Sequence, residues 1–491
     1  MKASLLIGLG LLLNLTTHAA QVSLADAVEK GESFQIQALL SKDIDVNDPQ
    51  IDGMTALHWA ANHNDAELAN VLLDRGANAA AENRYGITPL YLACLNGNAK
   101  LVRHLLDAGA DPNAAINGGE TALLTAARTG KIGAVKALIE AGADVEAKER
   151  NGQTAMMWAA AQGHVEVVQA LIEVGADFLT PLKSGYTPFL FAIREGQTEV
   201  VDLFLAAGAN ANGAMYFGKS ANNKGPMNGT SPLILAVENG HYDLAIDLLD
   251  AGANPNDQRT GYTVLHTLTW IRKPDIGESA SGAPPPKGSG KRNSEQFVRE
   301  LVARGADVNA PISRGRRAGR GRVSTIGATP FFMAADRADL PYMKLLLELG
   351  ADPFTRNEDG CTALLVAAGI GSTAPEEEAG SEMECVAAVK FLLSLGAEIN
   401  TVDANGETAM HGAAYKNAPA VARYLHEQGA NIRIWNTNND NERTPLLIAE
   451  GYRPGNFKPS FATVDAITEI MLSEGVKPPT GPKPKHSNYN N

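Results

Sequence analysis

Pairs of short apolar segments, separated by polar turns, follow one another from residue 22 to about residue 475. The first segment of a pair is rich in Ala and Leu, as at 155–160, and the second is rich in Val and Leu, as at 165–172. A Thr or Ser precedes the first segment, where its hydroxyl can cap a helix, and in most copies a Gly follows it. The pattern predicts an all-α fold made of helix-turn-helix units.

The units recur with a fixed period. The turn before each first helix reads Gly-x-Thr or Gly-x-Ser, and its first five copies are 33 residues apart. Later copies are unevenly spaced, which places all insertions after the fifth copy. Such a period indicates a repeat protein, whose units bury their apolar faces by stacking on one another. The turn glycines are Gly53, Gly86, Gly119, Gly152, Gly185, Gly229, Gly261, Gly327, Gly360 and Gly406, with a degenerate copy at 442–444.

This period resembles that of the ankyrin repeat, and so does the Thr-Pro pair that starts several first helices, as at Thr88 and Pro89. The resemblance implies an ankyrin-repeat solenoid of about twelve helix-turn-helix repeats with loop insertions over residues 21–475, in one elongated body. We expect regular repeats over 22–212 and insert-bearing repeats over 213–475. The first copy lacks the Gly-x-Thr turn, as a capping repeat does.

One element of the ankyrin pattern is kept in only three repeats. A His at the fourth position counted from the capping Thr occurs at His58, His266 and His411. In the family this side chain ties neighbouring turns together. We therefore expect stability to vary along the array.

The two ends of the chain differ from the repeats. Residues 1–20 start with Met1 and Lys2, continue with an apolar run of about 11 residues and end in Ala19-Ala20, an order typical of a cleaved secretory signal peptide. The run is too short to span a membrane, which takes about 20 residues. We expect a periplasmic or secreted protein, and a disordered tail over 476–491 that is rich in Pro, Lys and Asn.

Composition excludes several classes of protein. With 491 residues, 44% hydrophobic residues and 3 Cys, the chain is neither intrinsically disordered nor a disulfide scaffold. Its net charge of −13 argues against wholesale binding to nucleic acid or to an anionic membrane. Length alone would suggest about three domains, but the repeat pattern replaces that count with a single array.

Ankyrin arrays, to which the chain is similar, are recognition surfaces and rarely enzymes. Their partners usually contact a concave face, which the finger tips and the exposed ends of the first helices form. The family's pattern places Arg84, Tyr85 and Tyr186 on fingers, and aromatic and Arg side chains often anchor interfaces. Trp59 and Trp158 stand at a position that we expect to pack between helices.

Five insertions interrupt the later repeats. Two fall in fingers, at 213–229 and 311–327, and three fall between paired helices, at 272–293, 371–382 and 453–463. Loops carry function on a repeating scaffold, although any one insertion can also be merely tolerated. Their clustering after residue 212 indicates a specialised half of the chain.

One finger insertion is rich in arginine. Ten bases against three acids give residues 287–322 a local charge of +7, within a chain of net charge −13. Arginine at this density favours carboxylate or phosphate partners, through forked hydrogen bonds. The alternative is a solvated loop that offsets an acidic body. The arginines of the insertion are Arg314, Arg316, Arg317, Arg320 and Arg322.

The last loop and the cysteines offer two further candidates. Tyr452, Arg453 and Phe457 combine aromatic and basic side chains that can contact a partner. Cys361 and Cys385 lie in one insert-bearing repeat, where they either pair in an oxidising compartment or stay free.

The functional expectation is that of a non-enzymatic protein-binding scaffold or adaptor. The chain has no nucleophile and base at catalytic spacing, no metal-ligand spacing and no cofactor motif. We expect a protein partner, with an acidic surface where it meets the arginine-rich insertion, and no nucleic acid. The alternative, in another class, is an accessory or stress-protection factor for an envelope redox enzyme.

Overall fold

The computed structural model describes residues 22–216, 228–276, 286–316, 323–453, 458–480 and 483. The predicted signal peptide and most of the predicted tail lie outside these residues. The chain forms two compact units, of which the first ends at Asp177 and the second begins at Phe178. Each unit is described by itself.

The described part of the first unit consists of five helix pairs. We call the first helix of a pair the inner helix and the second the outer helix. Inner helices pack on inner helices of adjacent repeats, and outer helices pack on outer helices. The helices are α1 (Leu24–Glu29), α2 (Ser33–Leu40), α3 (Ala56–Asn62), α4 (Ala66–Asp74), α5 (Pro89–Asn96), α6 (Ala99–Asp107), α7 (Ala122–Arg128), α8 (Ile132–Glu140), α9 (Ala155–Gln162) and α10 (Val165–Glu173).

The described part of the second unit has seven helix pairs and one short extra helix, α23. Its inner helices again stack on one another. The helices are α11 (Pro188–Glu195), α12 (Thr198–Ala206), α13 (Pro232–Glu238), α14 (Tyr242–Asp250), α15 (Val264–Arg272), α16 (Ser294–Ala303), α17 (Pro330–Asp336), α18 (Leu340–Glu348), α19 (Ala363–Ala368), α20 (Glu382–Ser394), α21 (Ala409–Tyr415), α22 (Pro419–Glu427), α23 (Ile432–Trp435), α24 (Pro445–Ala449) and α25 (Phe461–Ser473).

The predicted start and stop signals of the inner helices are confirmed. Before α5, the Thr88 hydroxyl accepts a hydrogen bond from the backbone N–H of Tyr91 at 3.1 Å, and Pro89 opens the helix. Gly97 ends the helix with φ +78°, a left-handed conformation that glycine adopts without steric cost. Local sequence therefore determines where each short helix begins and ends.

The Gly-x-Thr turns form fingers that are joined edge to edge within each unit. In the first unit the Arg84 N–H donates to the Asp52 carbonyl at 3.0 Å, and the Asn117 N–H donates to the Tyr85 carbonyl at 3.1 Å. Gly53 shows why the turn needs glycine. It has φ +90°, and a Cβ there would lie 2.9 Å from the Cα of Asn83 on the next finger. The fingers thus approach too closely for a side chain at this point.

The three histidines of the pattern link neighbouring repeats, as expected. His266 is fully buried, its Nδ1 accepts a hydrogen bond from the Thr263 N–H at 3.2 Å, and its Nε2 lies 3.1 Å from the Ala328 carbonyl of the next finger. Burial lowers its pKa to about 4, so the ring is neutral at pH 7. His58 and His411 make the corresponding contacts with Ile87 and Thr437.

Two insertions between paired helices are built into the second unit. The Ile276 N–H donates to the Glu377 carbonyl at 2.7 Å, and the Ala379 N–H donates to the Asp275 carboxylate at 3.1 Å. Arg337 reaches the same Asp275 oxygen at 3.1 Å. The insertions around 272–293 and 371–382 therefore bind each other across the repeat that contains Arg337. The last predicted insertion, 453–463, is shifted: it separates α24 from α25 at 450–460.

Candidate functional site

Three positions of a repeat meet along the inner helix in the repeats of α7 and α11. They are the residue between Gly and Thr of the finger, and the residues four and seven positions after that Thr or Ser. In the repeat of α7 these are Glu120, Thr125 and Arg128: both Thr125 and Arg128 donate hydrogen bonds to the Glu120 carboxylate at 2.8 Å. We call the residues at these three positions of all repeats the inner row.

The inner row of the second unit starts with a cation held over two aromatic rings. Tyr186 and Phe191 stack with ring centroids 4.9 Å apart. The Arg194 guanidinium lies 5.1 Å from the Tyr186 centroid and 5.0 Å from that of Phe191, and it pairs with Glu195 at 2.7 Å. Cation–π contacts of this kind fix an arginine in place. The inner row here offers a partner a pre-ordered guanidinium.

In the next two repeats, the inner row brings a carboxylate into contact with one of two packed aromatic rings. The Tyr262 and Trp270 rings meet edge to face with centroids 5.0 Å apart, and the Tyr262 hydroxyl lies 3.4 Å from the Glu238 carboxylate. All three side chains are partly exposed. Burial raises the pKa of Glu238 to about 7, against the opposing effect of the Tyr262 hydrogen bond.

A second carboxylate of the inner row is enclosed. Glu407 is buried and accepts hydrogen bonds from the Tyr415 hydroxyl at 2.9 Å and the Asn439 amide at 2.8 Å. Burial, assisted by the nearby Asp403 carboxylate, raises the pKa of Glu407 to about 7. These two hydrogen bonds link Glu407 to α21 of its own repeat and to Asn439 of the next finger.

The finger residues singled out from the sequence lie in two environments. Tyr85 is 50% exposed, and the exposed Arg84 side chain stacks on it with 4.9 Å to the ring centroid. Tyr186 is 9% exposed, because Phe191 and Arg194 cover it. A partner can therefore reach the Arg84–Tyr85 pair directly, but meets Tyr186 mainly through Arg194.

The two tryptophans expected between helices are partly exposed instead. They stand at the inner-row position four residues after the capping Thr, which faces the fingers. The Trp59 indole N–H donates to Gln50 at 2.7 Å, and the Arg128 guanidinium lies 5.6 Å from the Trp158 ring centroid. Both tryptophans thus belong to the inner row of the first unit.

The arginine-rich insertion is described only at its start. Arg314 and Arg316 are exposed, and the Arg314 guanidinium hydrogen-bonds the Arg259 carbonyl. The Arg316 Nε–H donates to the Val323 carbonyl at 3.3 Å, and the Arg316 carbonyl accepts from the Thr325 N–H at 2.8 Å. Arg317, Arg320 and Arg322 lie outside the described residues.

Unpaired positive charge covers less of residues 287–322 than their local charge of +7 suggests. Three arginines at or on α16 are paired with carboxylates of their own unit, because the outer helices on either side supply Asp and Glu. The remaining concentration of positive charge lies in the finger insertion. The pairs are Arg292 with Asp243 and Glu300, Arg299 with Glu295 and Glu348, and Arg304 with Asp250 and Glu300.

The structure corrects the expectation for Arg453. Its side chain is 2% exposed and hydrogen-bonds the carbonyls of Ala414 and Tyr415 at the end of α21. Helix ends leave such carbonyls without partners inside the helix, so a buried guanidinium satisfies them. Arg453 thus holds the last loop against α21, while Tyr452 is partly exposed and Phe457 lies outside the described residues.

The cysteines are buried and unbonded. Cys94, Cys361 and Cys385 are free thiols in the structure, so the alternative of a bond between Cys361 and Cys385 is not the one realised here. Burial raises the pKa of Cys361 well above its ordinary value. These thiols are poor nucleophiles, because the thiolate is the reactive form.

Among the described residues, no group of three or more His, Cys, Asp or Glu side chains is arranged to hold a metal ion. None of the described helices combines the length and the apolar character needed to cross a membrane.

Sequence reasoning overlooked the cluster of Glu238, Tyr262 and Trp270. The three residues are up to 32 positions apart, and only the stacking of adjacent repeats brings them together. A comparison of equivalent repeat positions would have found the signal. The position that carries Arg128 and Arg194 in two repeats carries Glu238 in another, which is a reversal of charge within one surface row.

Comparison with protein families matches the repeats directly. A model of ankyrin repeats in three copies matches residues 24–116, 114–181, 176–259 and 379–456, and a second ankyrin-repeat model matches 331–374. Together these matches cover more than half of the chain.

Individual relatives share the repeats. An ankyrin repeat and KH domain-containing protein of Caenorhabditis briggsae is 28% identical over 43% of this chain and 7% of its own length. The neurogenic locus notch homolog protein 1 of Xenopus tropicalis is 32% identical over 46% of this chain and 8% of its own length. A fowlpox virus protein named as an ankyrin repeat protein is 26% identical over 44% of this chain and 90% of its own length. The similarity thus spans less than a tenth of the first two relatives.

Proposed function

The chain belongs to the ankyrin-repeat family, and from this premise we propose that it is a non-catalytic scaffold or adaptor that binds another protein. The surface used is the inner row, on the concave face that the family resemblance implies, together with the finger insertions of the second unit. Ankyrin repeats generally mediate interactions between proteins, which supports the coarser part of the proposal. Its finer parts are the surface, the compartment and the character of the partner.

The observation that carries the proposal is the ordering of anchor side chains on the inner row. Arg194 is held over Tyr186 and Phe191, and Arg128 is held by Glu120 beside Trp158. Arginine and aromatic residues dominate the energy of protein interfaces. Because neighbouring side chains already restrict these arginines, binding costs less conformational entropy than it would for free side chains.

A second part of the proposal concerns location. The order of charged, apolar and small residues in 1–20 supports export, with cleavage near Ala19 and Ala20. The partner is then a protein of the periplasm or of the exterior. The arginine-rich finger insertion favours an acidic patch on that partner, because guanidinium groups bind carboxylates through paired hydrogen bonds.

Affinity capture from a cell-envelope extract tests this function. Residues 21–491, which contain every described helix, serve as bait beside a variant with Arg314, Arg316, Arg317, Arg320 and Arg322 all replaced by Ala. We expect one partner to be retained by the wild type and lost by the variant. A control in which Arg299 and Arg304 of α16 are replaced instead, since both are paired within the unit, should retain the partner.

Two results would contradict the proposal. Equal retention by the wild type and the five-Arg variant removes the role of the insertion. A bait that retains no envelope protein above background, under conditions in which it is folded, removes the binding function itself.

A further inference from the structure

Glu238 occupies a position where the chain elsewhere places a cation. It is the last residue of α13, seven positions after the capping Ser231. The equivalent residues of two other repeats are Arg128 and Arg194, each in the last turn of its helix. The C-terminal end of a helix carries partial negative charge, which favours a cation and disfavours a carboxylate. The Glu238 carboxylate is therefore placed against the local field.

No basic side chain compensates for this placement among the described residues. Glu238 forms no ion pair there, and its carboxylate accepts a hydrogen bond from the neutral Tyr262 hydroxyl at 3.4 Å. Asp336, at the same position of a later repeat, provides the contrast. Burial raises the pKa of Asp336 too, but the nearby basic groups of Arg337, Arg316 and Lys416 oppose that rise, and no basic group does so at Glu238 among the described residues.

The Tyr262 side chain links Glu238 to a pair of packed aromatic rings. Tyr262 contacts the carboxylate through its hydroxyl, and its ring meets Trp270 edge to face. Tyrosine and tryptophan rings attract cations through their negative faces, most strongly when water is excluded. A carboxylate in contact with Tyr262, whose ring packs against Trp270, has the components that bind a positively charged side chain.

The preceding repeat shows how such a cation sits. Arg194 lies about 5 Å from the centroids of Tyr186 and Phe191 and pairs with the Glu195 carboxylate. The site at Glu238 has the same kinds of group, two aromatic rings and one carboxylate, without an intramolecular cation among the described residues. Both sites lie on the inner row of the second unit.

We propose that Glu238, Tyr262 and Trp270 form a binding site for a Lys or Arg side chain of the protein partner. The inference rests on the proposed protein-binding function and adds the chemistry of one contact. The carboxylate accepts charge-assisted hydrogen bonds from the incoming ammonium or guanidinium group, and the rings pack against its apolar stem. The partner therefore presents a basic residue here and an acidic patch at the arginine-rich insertion.

A pair of small peptides tests the site without knowledge of the partner. The probe is acetyl-Gly-Arg-Gly-amide, and its neutral counterpart carries citrulline in place of Arg. The 21–491 chain is labelled with 5-fluorotryptophan, and the signal of Trp270 is followed by fluorine NMR at pH 8, where Glu238 is mostly ionised. The signals of the other tryptophans report on the fold.

We expect the Trp270 signal to shift saturably with the Arg peptide and not with the citrulline peptide. Glu238→Gln should lower the affinity for the Arg peptide by about tenfold, as expected for the loss of a charged partner. Glu199→Gln, which removes an exposed carboxylate from the outer helix α12, should leave the affinity unchanged.

The site is refuted if the wild type does not respond to the Arg peptide, if citrulline shifts Trp270 equally, or if Glu238→Gln binds as well as the wild type. The citrulline comparison uses only the wild type, so it stands whether or not a variant folds. Failure of the protein-binding function has a different signature, because it appears as loss of capture from the envelope extract while the peptide response persists.

Discussion

At the scale of single residues, burial shifts the pKa values of some histidines downward and those of some carboxyls upward, at positions that only particular repeats carry. The histidines that follow the capping Thr are neutral because burial disfavours the imidazolium, and each ring bridges two fingers. Glu238 and Glu407 are carboxyls whose ionised forms burial disfavours. Histidines of this kind make the fold sensitive to acid, whereas the carboxyls make it sensitive to alkali.

His266 should make the protein lose stability as the pH falls. Its pKa of about 4 in the fold lies below the ordinary 6.5, so its contribution is complete above pH 6.5 and is lost as the pH falls through 4. The loss is on the order of 3 kcal/mol in the free energy of unfolding. His266→Gln, which cannot titrate, should be less stable than the wild type at pH 7.5 and close to it near pH 4, as measured by urea denaturation. If the free energies of unfolding of the wild type and His266→Gln changed with pH in the same way, the result would contradict this account.

Glu407 should make the protein lose stability as the pH rises, which is opposite to the effect of His266. Its pKa of about 7 lies above the ordinary 4.5, so its contribution is complete below pH 4.5 and is lost as the pH rises through 7. Glu407→Gln keeps an oxygen acceptor for Tyr415 and Asn439, and it should raise the free energy of unfolding by on the order of 1–3 kcal/mol at pH 8. At pH 4.5 it should change little. A variant that is destabilised at pH 8 would show that the ionised carboxylate supports the network.

At the scale of elements, the fingers are as important as the helices. A finger meets its neighbour through backbone hydrogen bonds, and the glycine of the turn permits the close approach. The outer-helix C-caps also use glycine, but with open space around it. Gly76, which follows α4, has φ +83° and no atom within 4 Å of the Cβ that a side chain would add. Replacing Gly76 by a residue with a side chain should therefore cost only the strain of a left-handed backbone. The same change at Gly53 should add a steric clash.

Replacing the two glycines by alanine should show this difference. Gly76→Ala carries only the cost of a left-handed alanine, about 1–2 kcal/mol. Gly53→Ala carries that cost and a clash with the Asn83 Cα at 2.9 Å, so it should destabilise the first unit by a further 1 kcal/mol or more, on the order of a small packing defect. Thermal unfolding of both variants measures the difference. Equal losses of stability in the two variants would contradict this, because they would mean that neighbouring fingers move apart at little cost.

Much of the fold was predictable from the sequence because its determinants are local. The capping Thr, the Pro that opens an inner helix and the glycine that ends it act within a few residues. The charge reversal at Glu238 and the burial of Arg453 were not predicted, because they depend on which repeat positions face each other or which loop folds onto α21. Tyr186 lies on a finger, and its cover by Arg194 is a contact of the assembled repeat.

At the scale of the whole molecule, the chain combines an acidic overall charge with one arginine-rich finger insertion. The net charge is −13, and the arginines of α16 are paired with neighbouring carboxylates. The inner row adds ordered arginines and, at Glu238, a carboxylate without a basic partner among the described residues. A partner that fits these features carries acidic and basic groups in a fixed arrangement, which favours specificity over general adhesion.

The most direct test of the binding surface is site-specific photo-crosslinking in the cell envelope. A benzophenone amino acid is placed beside or on the inner row at Leu95 or Glu195, and on the outer helices at Lys136 or Glu199; all four positions are exposed. The account predicts adducts to the same partner protein from Leu95 and Glu195, and none from Lys136 and Glu199. Adducts from the outer helices alone, or none from either set, would contradict it.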